Sequence, residues 1–291
     1  MALRDERRIR QTVEAGRFYD GDPLRLRREL METERRVRQQ DALTASVPRA
    51  VIAPHAGYCF SLATAMRAVL PAAAGRYRRV LLLAPSHYFA FSGAAVSRCE
   101  GLATPFGELE ADPAGAEQLA ASPDIAVRED VLAREHAVEV ELPLLHYALG
   151  EVTVLPVVCG GLDAASLARL SAALLPMWGD DTLLFVSSDF THYGRSFGYL
   201  PFVENVAENL RKLDGEAARR IAARDRAGFA RYLAETGATI CGAMPILLLL
   251  SMLDAADPER KRTGTVAGAA NSGDLTGDWS HCVGYVSIVF P

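Results

Sequence analysis

The sequence predicts an α/β fold: one domain with a central mixed, partly parallel sheet flanked by helices. Short β-branched or leucine-rich runs, each closely followed by turn or polar residues, recur at Ala50–Ala53, Val80–Ala84, Val152–Val158, Thr182–Val186 and Val283–Val289. Stretches with helical spacing lie between them: Leu62–Leu70, Ala164–Leu175, Val203–Leu213, Glu216–Leu233 and Ala243–Leu253. Such alternation builds a sheet with helices on its faces. The chain has 291 residues, 50% hydrophobic and 23% charged, without a repeat, a low-complexity tract or a composition break. One large domain accommodates that length.

The first element is Pro23–Gln40. Pro23 suits a helix's first turn, where its N–H is not needed, and Leu24, Leu26, Leu30 and Val37 form an apolar stripe. Glu29, Glu32 and Glu34 interleave with the basic residues, which marks a solvated face rather than a nucleic-acid stripe. Residues 1–48 are expected to form an N-terminal arm and helix that pack on the rest of a domain spanning 1–291. The segment Glu135–Pro143 fits helix or strand equally.

Lys plus Arg number 31 and Asp plus Glu 36, a net charge of −5. Nucleic acid is therefore not an expected partner. The longest apolar stretch, Ala243 to Leu250, has 8 residues and contains Pro245; a membrane span needs about 18. The start, MALRDERRIRQ, is charged with no apolar segment behind it, unlike a secretory signal. Cys59, Cys99, Cys159, Cys241 and Cys282 form no CxxC pair and suit free thiols in a reducing compartment. A soluble cytoplasmic protein is expected.

The chemistry gathers behind the strand-like runs. Ala50-Val-Ile-Ala-Pro-His55, Val80-Leu-Leu-Leu-Ala-Pro-Ser-His87 and Thr182-Leu-Leu-Phe-Val-Ser-Ser-Asp189-Phe-Thr-His192 set three of the six histidines just past strand ends. Ligand sites in open α/β sheets form at the carboxyl ends of parallel strands, so parallel neighbours bring these imidazoles into one crevice. Convergent neutral imidazoles suit a borderline transition metal. Cys241, where a loop becomes a helix beside Gly242, is a further candidate, its thiolate favoured by the helix amides. Two histidines with one anionic ligand match mononuclear non-haem iron, and thiolate in place of carboxylate softens the site toward copper or zinc.

Asp189 stands three residues before His192 and can orient that ring as a general acid or base. His136 adds a polar wall. Tyr58, Tyr88 and Tyr193, each close behind a strand-end histidine, can hydrogen-bond a phenolic or anionic ligand. Each of these residues also has a bland reading. His146 and His281 read as packing residues, Asp189 as a turn cap, and Cys159 competes with Cys241, since buried cysteine is usually inert. The phosphate-loop and HExxH patterns are absent from the sequence.

Pro54-His-Ala-Gly-Tyr58, Pro85-Ser-His87, Glu135-His136 with Glu139 and Leu142-Pro143, Ser187-Ser-Asp-Phe-Thr-His-Tyr-Gly194, Cys241-Gly242 and Val283-Gly-Tyr285 together resemble the Memo family. Ala15-Gly-Arg-Phe-Tyr19 and Thr104-Pro-Phe-Gly107 extend the resemblance over nearly the whole chain. It implies a fold shared with class III extradiol dioxygenases, the non-haem iron enzymes that open catechol rings. It also implies His55, His87 and Cys241 as metal ligands, a cysteine standing where the dioxygenases carry glutamate. Asp189 and His192 then line the same pocket, with His192 at the dioxygenases' acid/base position. The bacterial branch is also named protein B of the AmmeMemoRadiSam system, which implies association with an AMMECR1-like protein and a radical SAM enzyme.

The expectation is a mononuclear centre of His55, His87 and Cys241, with iron as the first choice and copper or zinc after it. It would serve redox or dioxygenase-like chemistry on a small ligand, with aromatics among the candidates. His192 and Asp189 handle the proton, while His136, Tyr58 and Tyr193 bind substrate. The alternative is a non-catalytic module that keeps the cleft to recognise a peptide or partner protein. A metallohydrolase would need more carboxylates, for which Glu139, Glu141 and Asp189 are the nearby candidates.

Overall fold

The structure of the chain, a computed structural model, describes residues 7–40, 46–259 and 262–291. The first six residues of the charged start and residues 41–45 of the expected N-terminal arm lie outside the described residues. β1 (Ile9–Arg10) and α1 (Pro23–Gln40) precede β2 (Ala50–Ala53), α2 (Tyr58–Ala72) and β3 (Arg79–Pro85). Next come β4 (Ala94–Val96), β5 (Gly101–Thr104), β6 (Gly107–Glu110), α3 (Pro113–Leu119) and β7 (Ile125–Val127). α4 (Glu129–Arg134), α5 (His136–Glu139) and α6 (Glu141–Leu149) lead to β8 (Thr153–Cys159), α7 (Ala164–Leu174), β9 (Thr182–Ser187) and β10 (His192–Gly194). The chain ends through α8 (Val206–Ala222), α9 (Arg226–Thr236), α10 (Ala243–Ala256), β11 (Thr265–Asn271), α11 (Ser272–Thr276) and β12 (His281–Phe290).

The main sheet is mixed, with β2, β9, β3 and β8 side by side and all parallel. Val186 of β9 pairs with Ile52 on one side and Leu83 on the other, so the segments carrying His55, Asp189 and His87 leave one edge together. β12 closes on β2 antiparallel and carries β10 and β11, both antiparallel to it. β4 runs antiparallel to β8, and β1, β5 and β6 make a separate small sheet.

Both faces of the parallel strands are covered, which is why they read as unbroken apolar runs rather than alternating ones. In β3, Val80, Leu82 and Ala84 pack with Leu26 and Leu30 of α1, Met66 and Val69 of α2, and Leu142 of α6. Leu81 and Leu83 face the other way, toward Leu170 of α7, Ile221 of α8 and Leu248 of α10. Enclosure by α7 and the sheet accounts for the apolar α10. Among the described residues, no helix is long and apolar enough to cross a membrane.

Two expectations need correction. The break expected near Asp214–Gly215 is not there, because α8 runs through both residues. The chain turns instead at Arg224, whose φ is 57°, and Asp225 caps α9 by accepting from Gly228 N. Arg224 is held there by its guanidinium, which donates to Asp257 and to the Leu253 carbonyl. Leu24 is 74% exposed and lies off the apolar stripe of α1, whose buried residues are Leu26, Leu30, Thr33 and Val37.

Candidate metal centre

His55 leaves the end of β2 fully buried, its Nδ1 paired with Ser187 Oγ at 2.8 Å. The Ser187 hydroxyl in turn lies 2.8 Å from Glu141 Oε1. His87, past the end of β3, is gripped twice by Glu135: its Nδ1 lies 2.7 Å from Oε1 and its backbone N–H donates to Oε2 at 2.8 Å. In both rings Nδ1 is engaged and Nε2 is left for the site, the arrangement metal-binding imidazoles show. Glu135 also caps α5 by accepting from Ala137 N, which sets His136 at the first helical position.

The three rings converge. Their centroids are 5.1 Å apart for His55 and His87, 5.4 Å for His55 and His136, and 4.3 Å for His87 and His136. One nitrogen from each lies within 4.8 Å of the other two. His136 Nδ1 is buried with no hydrogen-bond partner among the described residues; Glu135 Oε1 stands 3.5 Å away. The unpaired nitrogen beside two oriented imidazoles is a donor set that fits a cation.

Cys241, in the loop before α10, is outside that histidine group but touches it: Sγ is 3.4 Å from His55 Nε2 and accepts from Asp189 N at 3.2 Å. A sulfur at ~2.3 Å and a nitrogen at ~2.0 Å from one tetrahedral ion are about 3.5 Å apart, so the spacing suits two ligands of a shared ion. The expected thiolate preference is reversed in the protein alone. Burial, followed by the charge of Asp189, pushes the Cys241 thiol well above its ordinary value, and the Asp189 and Gly242 amides oppose this only in part. Cys159, the competing thiol, is likewise raised to about 12 by burial.

His55 and His136 are kept neutral for the same reason. Burial holds His55 well below its usual value, with His87, His136 and His192 adding to the shift, and lowers His136 to about 4. Neutral imidazole is the metal-binding form. Burial also raises Glu141 well above the carboxylate range. Glu135 is held low in spite of burial, by the hydrogen bond and charge of His87.

Other expected site residues are placed differently. Asp189 does not orient His192. Its Oδ1 accepts from the backbone N–H of His55 at 2.9 Å and Ala56 at 3.2 Å, so it shapes the loop after β2. His192 Nδ1 instead faces the carbonyls of Phe190 at 3.0 Å and Thr239 at 3.1 Å, which fixes the proton on Nδ1 and frees Nε2. Tyr58 donates to Val140 O and Tyr193 to Phe202 O, so neither hydroxyl joins the cluster. Glu139 is engaged by Arg10, Tyr19 and two backbone N–H groups, which removes it from the carboxylates a hydrolase would need.

A cavity of about 530 Å³ opens beside the cluster, lined by Phe18, Phe60, His136, Asp189, His192 and Tyr285. His281 lines it too, stacked on Phe197 at 4.4 Å and paired with Ser196 Oγ at 2.7 Å. Sequence reasoning had set it aside as packing. The stretch Gly194-Arg-Ser-Phe-Gly198 spells GxSxG, but Ser196 sits in a short 3-10 turn rather than on a strand-to-helix elbow.

Fold and donor set define an α/β protein with a histidine-rich cluster able to hold one metal ion. Residues 10–289 match the model of the Memo-like protein family, and the chain belongs to the Memo family. A MEMO1 family protein of Methanosarcina acetivorans is 32% identical over 97% of this chain and 98% of its own length. One from Schizosaccharomyces pombe is 28% identical over 86% and 89%. The memo-1 homolog of Caenorhabditis elegans is 34% identical over 69% of this chain, which spans 60% of that relative. A solved structure of an uncharacterized Escherichia coli K12 protein aligns with a TM-score of 0.47 at 13% identity, over 73% of this chain and 86% of that one.

Proposed function

We propose that the chain is a mononuclear metalloprotein acting as an oxidoreductase on a small, planar organic ligand. The observation that carries the reading is the convergence of His55, His87 and His136 with the Cys241 sulfur at its edge. His55, His87 and Cys241 are the proposed ligands, and His136 stands within reach of a further coordination position. When bound, iron or copper supplies Lewis-acid polarisation and one-electron chemistry. The remaining work falls to the chain. Ser187 and Glu135 hold the two imidazoles in place, and aromatic walls limit water around the ligand. His192 offers Nε2 as the group that takes a proton from a hydroxyl bound in the cavity.

The test is anaerobic loading with Fe(II), metal measurement by mass spectrometry, and oxygen uptake across a panel of catechols and thiols. Wild type should hold about one iron and consume oxygen with at least one member. His192→Ala should keep the metal and lose about 10²–10⁴-fold in rate. Loaded wild type that consumes no oxygen with any of them overturns the redox reading and favours the peptide- or protein-binding module.

A further inference from the structure

We propose that the crevice between α8 and the β11–β12 hairpin is a second ligand site, distinct from the metal cluster, for a small organic cation: an amine on a compact apolar body. The crevice has a volume of about 310 Å³, within the small end of ligand-sized pockets. Its walls are apolar, from Leu210 and Ala218 of α8, Val266 and Ala269 of β11, and Val286 of β12.

Two carboxyls interrupt that surface: Asp274, which is paired with Arg211, and Asp214. Asp214 is only 7% exposed. Its Oδ1 is occupied, accepting from Thr191 N at 3.2 Å and Thr191 Oγ1 at 2.5 Å. Its Oδ2 has no hydrogen bond among the described residues and lies over Gly284, where a Cβ would come within 1.9 Å of it. Glycine at 284 therefore leaves the room that the Asp214 carboxyl occupies. An ammonium entering the crevice supplies that carboxyl with both a donor and an opposite charge.

The other charges nearby leave this opportunity open. Arg211, the one cation among the lining residues, is paired with Asp274 at 2.5 Å and stacked over Trp279 at 5.3 Å. The chemistry therefore selects a donor-bearing cation over an anion, and apolar walls select a compact hydrocarbon body over a hydrated metal ion.

The probe is benzylamine, with benzyl alcohol as its uncharged counterpart, followed by ligand-observed NMR on the full chain. Benzylamine should bind about tenfold or more tightly than the alcohol. Asp214→Asn keeps an acceptor for Thr191 but removes the charge, and should bring the amine down to the alcohol's level. Ala270→Trp, on the exposed rim, should block both ligands without touching the buried carboxyl. Metal content should be the same in all three proteins, which separates this site from the cluster. Equal binding of amine and alcohol to wild type, or amine binding that survives both substitutions, overturns the proposal.

Discussion

Glu135 governs two of the three converging imidazoles. One oxygen takes His87 N–H, and the other takes both His87 Nδ1 and the amide that starts α5, the helix on which His136 sits. Glu135→Gln keeps the shape and weakens both grips, so metal affinity should fall about 10–100-fold with the fold intact. Competition against a chelating dye measures it, and unchanged affinity would remove Glu135 from the account. Asp214 sets a different residue-scale expectation. Burial raises it from 3.8 to about 6 in spite of its bonds to Thr191. Between those values the folded protein holds a proton that the unfolded chain has released. Its own contribution to stability should therefore fall as pH rises from about 4 to 6, by roughly 3 kcal/mol at 1.36 kcal/mol per unit, and then level off; Asp189, also raised to about 6 by burial, titrates in the same window. Asp214→Asn should shift the slope of urea unfolding stability upward across that window by this amount; a slope identical to wild type would remove Asp214 from it.

At the scale of elements, the N-terminal arm is fastened by one buried ion pair. Arg10 and Glu139 meet at 2.8 Å with side chains 3% and 0% exposed, and Val13 N, Glu14 N and Tyr19 Oη also reach Glu139. Arg10→Met leaves the carboxylate buried and uncompensated and should destabilise by about 3–5 kcal/mol. A urea midpoint equivalent to less than ~1 kcal/mol of change would show that the ion pair adds little to the hydrogen bonds and packing that also hold this segment. The strands that carry the site were legible because burial on both faces makes them continuous apolar runs: Ala50–Ala53 forms as read, β3 and β9 extend their predicted runs by a residue or two, and β8 is shifted by one. β11 was not legible. Its sequence, TVAGAAN, is small, mostly exposed and bulged near Gly268, so no alternation marks it. The short helices α3 to α6 are stabilised by caps such as Asp112 and Glu135 and by tertiary packing, which a periodicity window does not register. His136 was seen only as a polar wall for the same reason, since its direction follows from the Glu135 cap.

For the whole molecule, topology does what proximity in sequence cannot. The order β2, β9, β3 brings residues 55, 189 and 87 to one edge, and the loop before α10 returns Cys241 to His55 across 186 positions. The strand-end pattern pointed to His55 and His87, but the third imidazole of the group is His136 rather than His192; the roles of Asp189, Tyr58 and Tyr193 were not foretold, because each depends on which backbone group its polar atoms meet. The central claim is that His55, His87 and Cys241 share one ion. X-ray absorption spectroscopy of the metal-loaded protein tests it directly. The account predicts one sulfur scatterer at ~2.3 Å together with imidazole nitrogens near 2.0–2.1 Å, the sulfur disappearing in Cys241→Ser. A loaded protein with no sulfur around the metal, or a spectrum unchanged by Cys241→Ser and His55→Ala, would contradict it.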